Sequence, residues 1–223
     1  MEQFIYNFFN VDIMYRSRII LLAGLKNTVL LAVVSLVFAI AVGLFLAVLR
    51  GLKFKPLNWL IVAYVDFFRA LPTIVLFMIV YYMLPYLGFS PPVFWSAVVA
   101  LTINGAAYFE EVFRAGIESV DPGQSEAARS LGLNYLQTMR HVILPQVVRV
   151  VLPPATSNSV ELAKTTALAS VISMPDLLYK AQQAAGGIFA NPTPLVTAAL
   201  IFLVMFWPFV RLTGYLEKKI GAM

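Results

Sequence analysis

The hydrophobic positions of this chain fall into five long runs, at residues of about 22–49, 57–86, 94–119, 143–175 and 195–216. Each run is as long as the ~20 mostly apolar residues that an α-helix needs to cross a bilayer. Apolar residues do not alternate with polar ones inside the runs, so membrane-spanning β-strands are a poor alternative. The pattern predicts an all-α polytopic membrane protein with five transmembrane helices.

The composition also indicates a lipid environment. Of 223 residues, 61% are hydrophobic and 12% are charged, whereas soluble domains are typically ~45–50% apolar and ~25% charged. A single water-soluble core could not cover this much apolar surface, which excludes an ordinary soluble enzyme. The chain has no cysteine, which excludes a disulfide framework and a thiolate metal site.

The basic residues are scattered between the apolar runs, so they indicate membrane topology and no nucleic-acid binding. With five spans the termini lie on opposite sides, and the side richer in Lys and Arg is expected in the cytoplasm. The N-terminus is therefore predicted outside and the C-terminus in the cytoplasm. The basic N-terminal stretch argues weakly for the opposite orientation and could also form an interfacial helix. Ten basic residues fall on the predicted cytoplasmic side and four on the other: Arg50, Lys53, Lys55, Arg114, Arg129, Arg140, Arg149, Arg211, Lys218 and Lys219 against Arg16, Arg18, Lys26 and Lys180.

A short helix with its own start and stop signals is predicted between the third and fourth runs, around residues 121–134. Asp121 is a good N-cap, Pro122 fits the first helical position, and Gln124 has the spacing of a capping box. Gly132 suits a left-handed stop at the C-terminus. About ten residues are too few to cross a bilayer, so the pattern alone also fits an ordinary connecting helix.

The same segment resembles the E-A-A loop of ATP-binding-cassette (ABC) importer permeases. Glu126-Ala127-Ala128, then Gly132, then Leu144-Pro145 is similar to the E-A-A…G…L-P signature, with Val142 where the family usually has Ile. Further motifs are similar to those of the polar and basic amino-acid permeases in that family, and the resemblance covers residues of about 20 to 215. These motifs are Gly24 with Asn27-Thr28, and residues 68–72, 111–117 and 164–172.

The resemblance implies a MetI-like permease fold in a single transmembrane domain, residues 1–223, placed in the bacterial cytoplasmic (inner) membrane. The implied partners are a cytoplasmic ATP-binding subunit, an extracytoplasmic amino-acid-binding protein and a second permease subunit, in a homodimer or a heterodimer. ATP and Mg would bind to the partner ATPase, since this chain has no G-x-x-x-x-G-K-[ST] phosphate loop. The sequence has no evident Ser/His/Asp set and no metal-ligand spacing, so no catalytic residue, cofactor or metal site is expected in the chain. The helix around residues 121–134 would couple to the ATPase through six residues: Gly123, Gln124, Glu126, Ala127, Ala128 and Gly132.

Polar residues inside three of the predicted spans are candidates for a substrate site, because a charge at the bilayer centre costs ~2.5–3.5 kcal/mol or more. Asn158 and Glu161 share a helix face in the fourth span. Arg69 lies near the middle of the second span. Asn104 and Tyr108 share a face of the third span. These five groups fall at about the same depth, as expected for a substrate site at the membrane midplane.

For an amino-acid substrate, these groups have complementary chemistry. Arg69 could hold the α-carboxylate through two hydrogen bonds. Glu161, aided by Asn158, could hold a positive group, either the α-ammonium or a cationic side chain. The extra acidic residue favours a basic amino acid such as arginine, lysine or histidine, with glutamine or another polar amino acid as the alternative.

Each candidate also has a purely structural explanation. Arg69 could pair with Asp66, and Glu161 could pair with Lys164, in each case three residues away. The two polar residues of the third span could be engaged only in hydrogen bonds between helices. A network of pairs at the membrane interface is expected at the end of the third span, formed by Glu110, Glu111, Arg114 and Glu118.

An ion-coupled secondary transporter is the alternative from a different functional class. Glu161 and Asp66 could then be ligands for protons or sodium ions. Such transporters typically have two related halves, and no internal repeat is visible in the sequence.

Overall fold

The computed structural model describes residues 2–52 and 54–220, and this part of the chain is helical with no strand. Three π-helical turns (Ile79–Met83, Met139–Ile143 and Ala184–Ile188) and two 3₁₀ helices (Leu84–Leu87 and Thr166–Ile172) join or extend the α-helices. The all-α prediction is confirmed. The α-helices are α1 Glu2–Phe8, α2 Val11–Arg50, α3 Lys55–Ala70, α4 Thr73–Met78, α5 Val93–Glu118, α6 Pro122–Ser130, α7 Tyr135–Thr138, α8 Leu144–Thr165, α9 Leu177–Gln183 and α10 Thr193–Ile220.

The second apolar run is not one straight helix. Its two helical parts, α3 and Thr73–Leu87, are bent by 104° relative to each other. The bend lies at Leu71 and Pro72, because proline disfavours helical backbone in the preceding residue and Leu71 is extended (φ −81°, ψ 127°). The second run is therefore a bent candidate span rather than one straight helix, and Pro72 is the reason.

The other runs agree more closely with the prediction. In the described part of the chain, α2, α5 and α10 are long and apolar enough to cross a membrane, and the bent pair gives a fourth candidate. The fourth run becomes α8 and the 3₁₀ helix that follows it. The 22 residues of α8 are about 33 Å long, but Arg149, Glu161 and Lys164 make it more polar than the other spans.

Helix α2 is longer than its apolar run. Its 40 residues correspond to about 60 Å, twice the thickness of the hydrocarbon core. Residues 11–21 continue this helix, so they do not form the separate interfacial helix considered above. Asn10 starts α2, because its side-chain oxygen accepts hydrogen bonds from the N–H groups of Asp12 (3.1 Å) and Ile13 (3.2 Å).

Helix α5 is central and packs against α2, α3, α4 and α8. Glycine makes the closest approaches possible. A Cβ on Gly105 would lie 2.6 Å from a methyl group of Leu162 in α8 and 3.0 Å from Cβ of Ala39 in α2. Small residues are the usual means by which membrane helices pack closely. Here Gly105 lets α2 and α8 pack closely against the middle of α5.

The end of the bundle opposite α6 is called the far end. At the far end, the motif at residues 24–28 of α2 contacts the loop before α9. Asn27 donates a hydrogen bond to the carbonyl of Pro175 (2.8 Å), and Thr28 accepts one from the N–H of Leu177 (3.0 Å). A Cβ on Gly24 would lie 2.7 Å from the carbonyl oxygen of Asp176. The motif therefore holds the loop before α9 against α2.

Asp176 in that loop is fully buried. One carboxylate oxygen accepts a hydrogen bond from the N–H of Tyr179 (2.7 Å) and caps α9, whereas Oδ2 has no hydrogen-bond partner. Burial raises the pKa of the Asp176 carboxyl from 3.8 to about 7. This carboxyl group therefore titrates near neutral pH.

Candidate functional site

A pocket of about 190 Å³ lies at the middle depth of the bundle, between α4, α5 and α8. This midplane pocket contains four of the five residues predicted for the substrate site, the exception being Arg69. Its polar lining consists of Thr73, Asn104, Tyr108, Asn158, Glu161 and Thr165. The helix periodicity therefore predicted most of this convergence, although the roles of these residues stay predictions.

The α5 side of the pocket is fixed by the break in the second span. Asn104 donates a hydrogen bond to the carbonyl of Phe68 (2.9 Å) and accepts one from the hydroxyl of Thr73 (3.3 Å). The carbonyl of Phe68, which cannot pair with Pro72 because proline has no N–H, thus has a polar partner on α5. Asn104 makes the interhelical hydrogen bonds expected on the structural explanation, and it also lines the pocket.

The α8 side supplies the one charged residue of the pocket lining. The Glu161 side chain is 73% exposed, and its carboxylate lies 3.7 Å from the Lys164 ammonium. Exposed ion pairs of this kind contribute only ~0–1 kcal/mol, so Glu161 is available to a ligand. Asn158 lies beside it and donates a long hydrogen bond (3.5 Å) to the carbonyl of Tyr108.

Arg69 lies next to the pocket but outside its lining. Its guanidinium nitrogen is 3.8 Å from the carboxylate of Glu111, and its guanidinium carbon is 5.5 Å from the ring centre of Tyr108. The ion pair of Arg69 is therefore with α5 and not with Asp66. Its position follows from the bend, because α3 ends at Ala70 before the chain turns towards the pocket. The structure does not bring Arg69 into the pocket with the other four residues.

Helix α6 has the start and stop that the sequence predicts. The Asp121 carboxylate accepts a hydrogen bond from the N–H of Gly123 (2.6 Å). At the other end the N–H of Gly132 donates to the carbonyl of Arg129, and that of Leu133 donates to Ala128. Together with the positive φ of Gly132, +80°, this is a Schellman motif.

The predicted capping box with Gln124 is not formed at α6. The reciprocal pair of hydrogen bonds occurs at the next helix, α7, between Asn134 and Gln137. At α6 the short Asp121 side chain bonds to the second helical residue, which is Gly123, rather than to the third. The two helices therefore each have a capped start, and only three residues separate the end of α6 from Asn134.

Of the six residues assigned to the coupling helix, Ala128 is buried and the others are exposed: Gly123, Gln124, Glu126, Ala127 and Gly132. Helix α6 packs against the π-helical turn Met139–Ile143. Its exposed face is thus available to another protein, and its inner face borders a cavity.

This second cavity, the α6 cavity, has a volume of about 480 Å³ and lies between α6, α7 and the ends of α2 and α5. It is strongly charged, in contrast to the midplane pocket. The charged side chains of its lining are Arg50, Arg114, Glu118, Glu126 and Arg129.

A buried ion pair lies beside the α6 cavity. Arg50 at the end of α2 donates to both carboxylate oxygens of Glu110, at 3.0 and 3.3 Å, and the Glu110 side chain is fully buried. The prediction that Glu110 belongs to an interfacial network is therefore wrong. Glu110 lies on the face of α5 that packs on α2, whereas Glu111 and Glu118 both pair with Arg114 as predicted.

Comparison with known proteins identifies the family. Residues 39–222 match the model of the binding-protein-dependent transport system inner membrane component. The chain belongs to this family. The residues that resemble the E-A-A…G…L-P signature therefore lie in a permease of that family.

Relatives of this permease cover nearly its whole length. It is 36% identical over 211 residues to the probable glutamine ABC transporter permease protein GlnM of Bacillus subtilis (strain 168), covering 95% of this chain and 98% of GlnM. It is 36% identical over 203 residues to the arginine transport system permease protein ArtQ of the same strain, covering 91% and 93%. The crystal structure of an amino acid ABC transporter with histidines contains a chain with a TM-score of 0.81 and 33% identity, covering 92% and 96%. These matches confirm the permease fold.

Sequence reasoning missed one residue of the candidate site and one ion pair near it. Thr73 was not considered, although it directly follows the helix-breaking Pro72, and discontinuous membrane helices typically form the substrate sites of transporters. The Arg50–Glu110 pair was also missed, because the two residues are 60 positions apart. The one available signal was an acidic residue inside an apolar run, which requires a buried partner.

Proposed function

We propose that this permease carries amino acids across the cytoplasmic membrane by alternating access, and that it favours the basic amino acids arginine, lysine and histidine. One observation supports this substrate class. Glu161 is the single charged group lining the midplane pocket, and its carboxylate is largely exposed. A carboxylate with neighbouring amide and hydroxyl groups is suited to hold an ammonium or guanidinium group.

The proposal assigns the energy source to other subunits. A separate cytoplasmic ATPase would bind ATP and Mg and receive the exposed face of α6, so this chain performs no covalent chemistry. An extracytoplasmic binding protein would deliver the amino acid, and a second permease subunit would complete the path. Family membership supports this division and argues against the ion-coupled alternative.

The proposed orientation places α6 in the cytoplasm and the N-terminus outside. Thr193 at the start of α10 donates a hydrogen bond to the carbonyl of Asn7, and Asn191 donates a long one to Tyr6. The N-terminal helix therefore lies at the far end of the bundle. Most basic residues of the inter-span segments lie towards the α6 end, which supports the same orientation.

A polar neutral substrate such as glutamine is the second candidate. The observation that favours it is Lys164, which lies 3.7 Å from the Glu161 carboxylate and partly neutralises it. Asn104 and Asn158 could then provide the hydrogen bonds to a neutral amide side chain.

A binding experiment separates the two candidates. The permease–ATPase complex is purified with wild-type Glu161 or with Glu161→Gln, and binding of labelled arginine and labelled glutamine is measured without the binding protein. Loss of a charge-assisted hydrogen bond should weaken arginine binding by about tenfold or more, with a much smaller effect on glutamine.

Asp12→Asn is the matched control, since Asp12 is an exposed carboxylate paired with a cation four residues away and lies far from the pocket. It should leave both affinities unchanged. Equal losses for arginine and glutamine in Glu161→Gln would contradict the preference for basic amino acids.

A further inference from the structure

The first turn of α7 touches the last turn of α2. The hydroxyl of Tyr135 donates a hydrogen bond of 2.8 Å to the carbonyl of Val48. The last carbonyl groups of a helix have no partner within the helix, so Tyr135 occupies a position at the end of α2 that would otherwise need water. This is a direct polar contact between the segment that carries α6 and the first long helix.

Gly51 makes room for this contact. A Cβ at position 51 would lie 2.3 Å from the Tyr135 hydroxyl oxygen. The backbone of Gly51 is right-handed helical (φ −65°, ψ −15°), a conformation that residues with a side chain adopt without strain. Glycine at position 51 is therefore required to leave space for the Tyr135 hydroxyl and not to permit an unusual backbone conformation.

Arg50, which lies between Val48 and Gly51, connects the end of α2 to α5. It holds the buried Glu110 carboxylate at 3.0 Å and so joins the end of α2 to α5. Two residues before Glu110, Tyr108 lines the midplane pocket. We expect a displacement of the end of α2 to act on α5 through this ion pair, because separating the pair would leave the buried Glu110 carboxylate without a partner.

The connection between α6 and Tyr135 is short and well ordered. The Schellman motif at Gly132 ends α6, and the capping box of Asn134 and Gln137 starts α7 directly after it. Because hydrogen bonds fix both helix ends, α6 and α7 can move together.

We propose that Tyr135 is a positioning residue for transport: it passes the displacement of α6 to the end of α2, and Arg50 and Glu110 pass it to α5. This inference depends on the proposed function, since it requires that an ATPase moves α6. The Tyr135–Val48 hydrogen bond contributes little to folding, because Tyr135 is only partly buried and borders a cavity where water can replace either partner. Its loss should affect coupling before it affects stability.

A double-mutant cycle tests the proposal in the complex with ATPase and binding protein, reconstituted in liposomes. Tyr135→Phe removes only the hydroxyl, and Gly51→Ala forces the hydroxyl away from Val48. Each single variant should lower the stimulation of ATP hydrolysis by loaded binding protein, and the amino acid transported per ATP, about two- to tenfold. The double variant should be no worse than Tyr135→Phe, because the next atoms near the new Cβ lie 3.3 and 3.5 Å away.

Tyr86→Phe is the control, since Tyr86 is 92% exposed and lies in the 3₁₀ turn before α5. It should couple as the wild type does. Normal coupling in both single variants would overturn the proposal, and so would additive losses in the double variant. If the amount of assembled complex, ATP hydrolysis and transport all fall in parallel, the role of Tyr135 is merely structural. This result would also overturn the proposal. Failure of the wild-type complex to stimulate ATP hydrolysis would instead contradict the proposed function itself.

Discussion

The midplane pocket and the α6 cavity each have an acidic side chain next to a basic one, but the two pairs differ in burial. Glu161 is 73% exposed and lies 3.7 Å from Lys164. Glu110 is fully buried and lies 3.0 Å from Arg50. An exposed pair is weak and leaves its carboxylate open to a ligand, whereas a buried pair must stay together because separating it leaves an uncompensated charge. Burial, more than the presence of charge, thus distinguishes the proposed binding group, Glu161, from the structural Glu110.

The largest effect is expected from breaking the buried pair. Arg50→Met leaves the fully buried Glu110 carboxylate without its partner and should cost about 3–5 kcal/mol in the free energy of unfolding. The measurement is the thermal unfolding midpoint of the purified complex in detergent, together with the amount of protein inserted in the membrane.

The double variant Arg50→Met with Glu110→Leu sharpens this test. Replacing both partners by apolar residues should recover most of the lost stability, because no unpaired charge stays behind. If the double variant is as unstable as Arg50→Met, the loss comes from packing between α2 and α5 and not from the charge.

Asp176 shows the effect of burial alone, since it is buried without a basic partner in the described part of the chain. Its pKa is raised from 3.8 to about 7 in the fold, so the unfolded chain loses this proton first as the pH rises. Its contribution to stability is therefore fully present below pH 3.8 and is lost as the pH rises to about 7, by at most about 4 kcal/mol.

The variant Asp176→Asn keeps the oxygen that caps α9 and removes the titrating group. Unfolding midpoints of the wild type and the variant should diverge between about pH 4 and 7, with the variant more stable at the upper end. A constant difference across this pH range would show that Asp176 is not protonated in the fold.

A glycine with left-handed backbone lies at each end of the bundle. Gly132 and Gly88 both have left-handed backbone, with φ of +80° and +85°, and an added Cβ at either position meets nothing within 4 Å. Valine at either position should cost about 1–2 kcal/mol through backbone strain alone. Only Gly132→Val disturbs the end of α6, so only this variant should also uncouple ATP hydrolysis from uptake.

Transport per ATP hydrolysed is the measurement, with Gly88→Val as the control for the general cost of strain. Similar coupling in the two variants would show that the geometry at the end of α6 is not required for coupling.

The features that the sequence predicted correctly depend on residues close together in the chain. Local signals were sufficient for α5, whose predicted bounds of 94–119 compare with Val93–Glu118, and for the start and stop of α6. Helix periodicity also placed Asn104 with Tyr108, and Asn158 with Glu161, in one pocket. These features depend on residues a few positions apart.

Features that depend on distant residues were not predictable in this way. The 104° bend at Pro72 leaves Arg69 beside the pocket rather than in its lining. Hydropathy alone does not distinguish a broken span from a straight one. Glu110 looked equivalent to Glu111, because their opposite fates depend on which face of α5 packs against α2. Tyr135 has no local signal that it reaches Val48, 87 positions earlier.

The smallest effect is expected from the exposed pair. Lys164→Gln removes the cation next to Glu161 and should change the free energy of unfolding by less than about 1 kcal/mol. Arginine should then bind to the permease–ATPase complex more tightly, by no more than about fivefold, because it no longer competes with Lys164 for the carboxylate. The gain should shrink as salt is added, since exposed charges are screened, and glutamine binding provides the comparison. Weaker arginine binding in this variant would mean that Lys164 itself contacts the substrate, and the pocket would then hold both charges of a zwitterion.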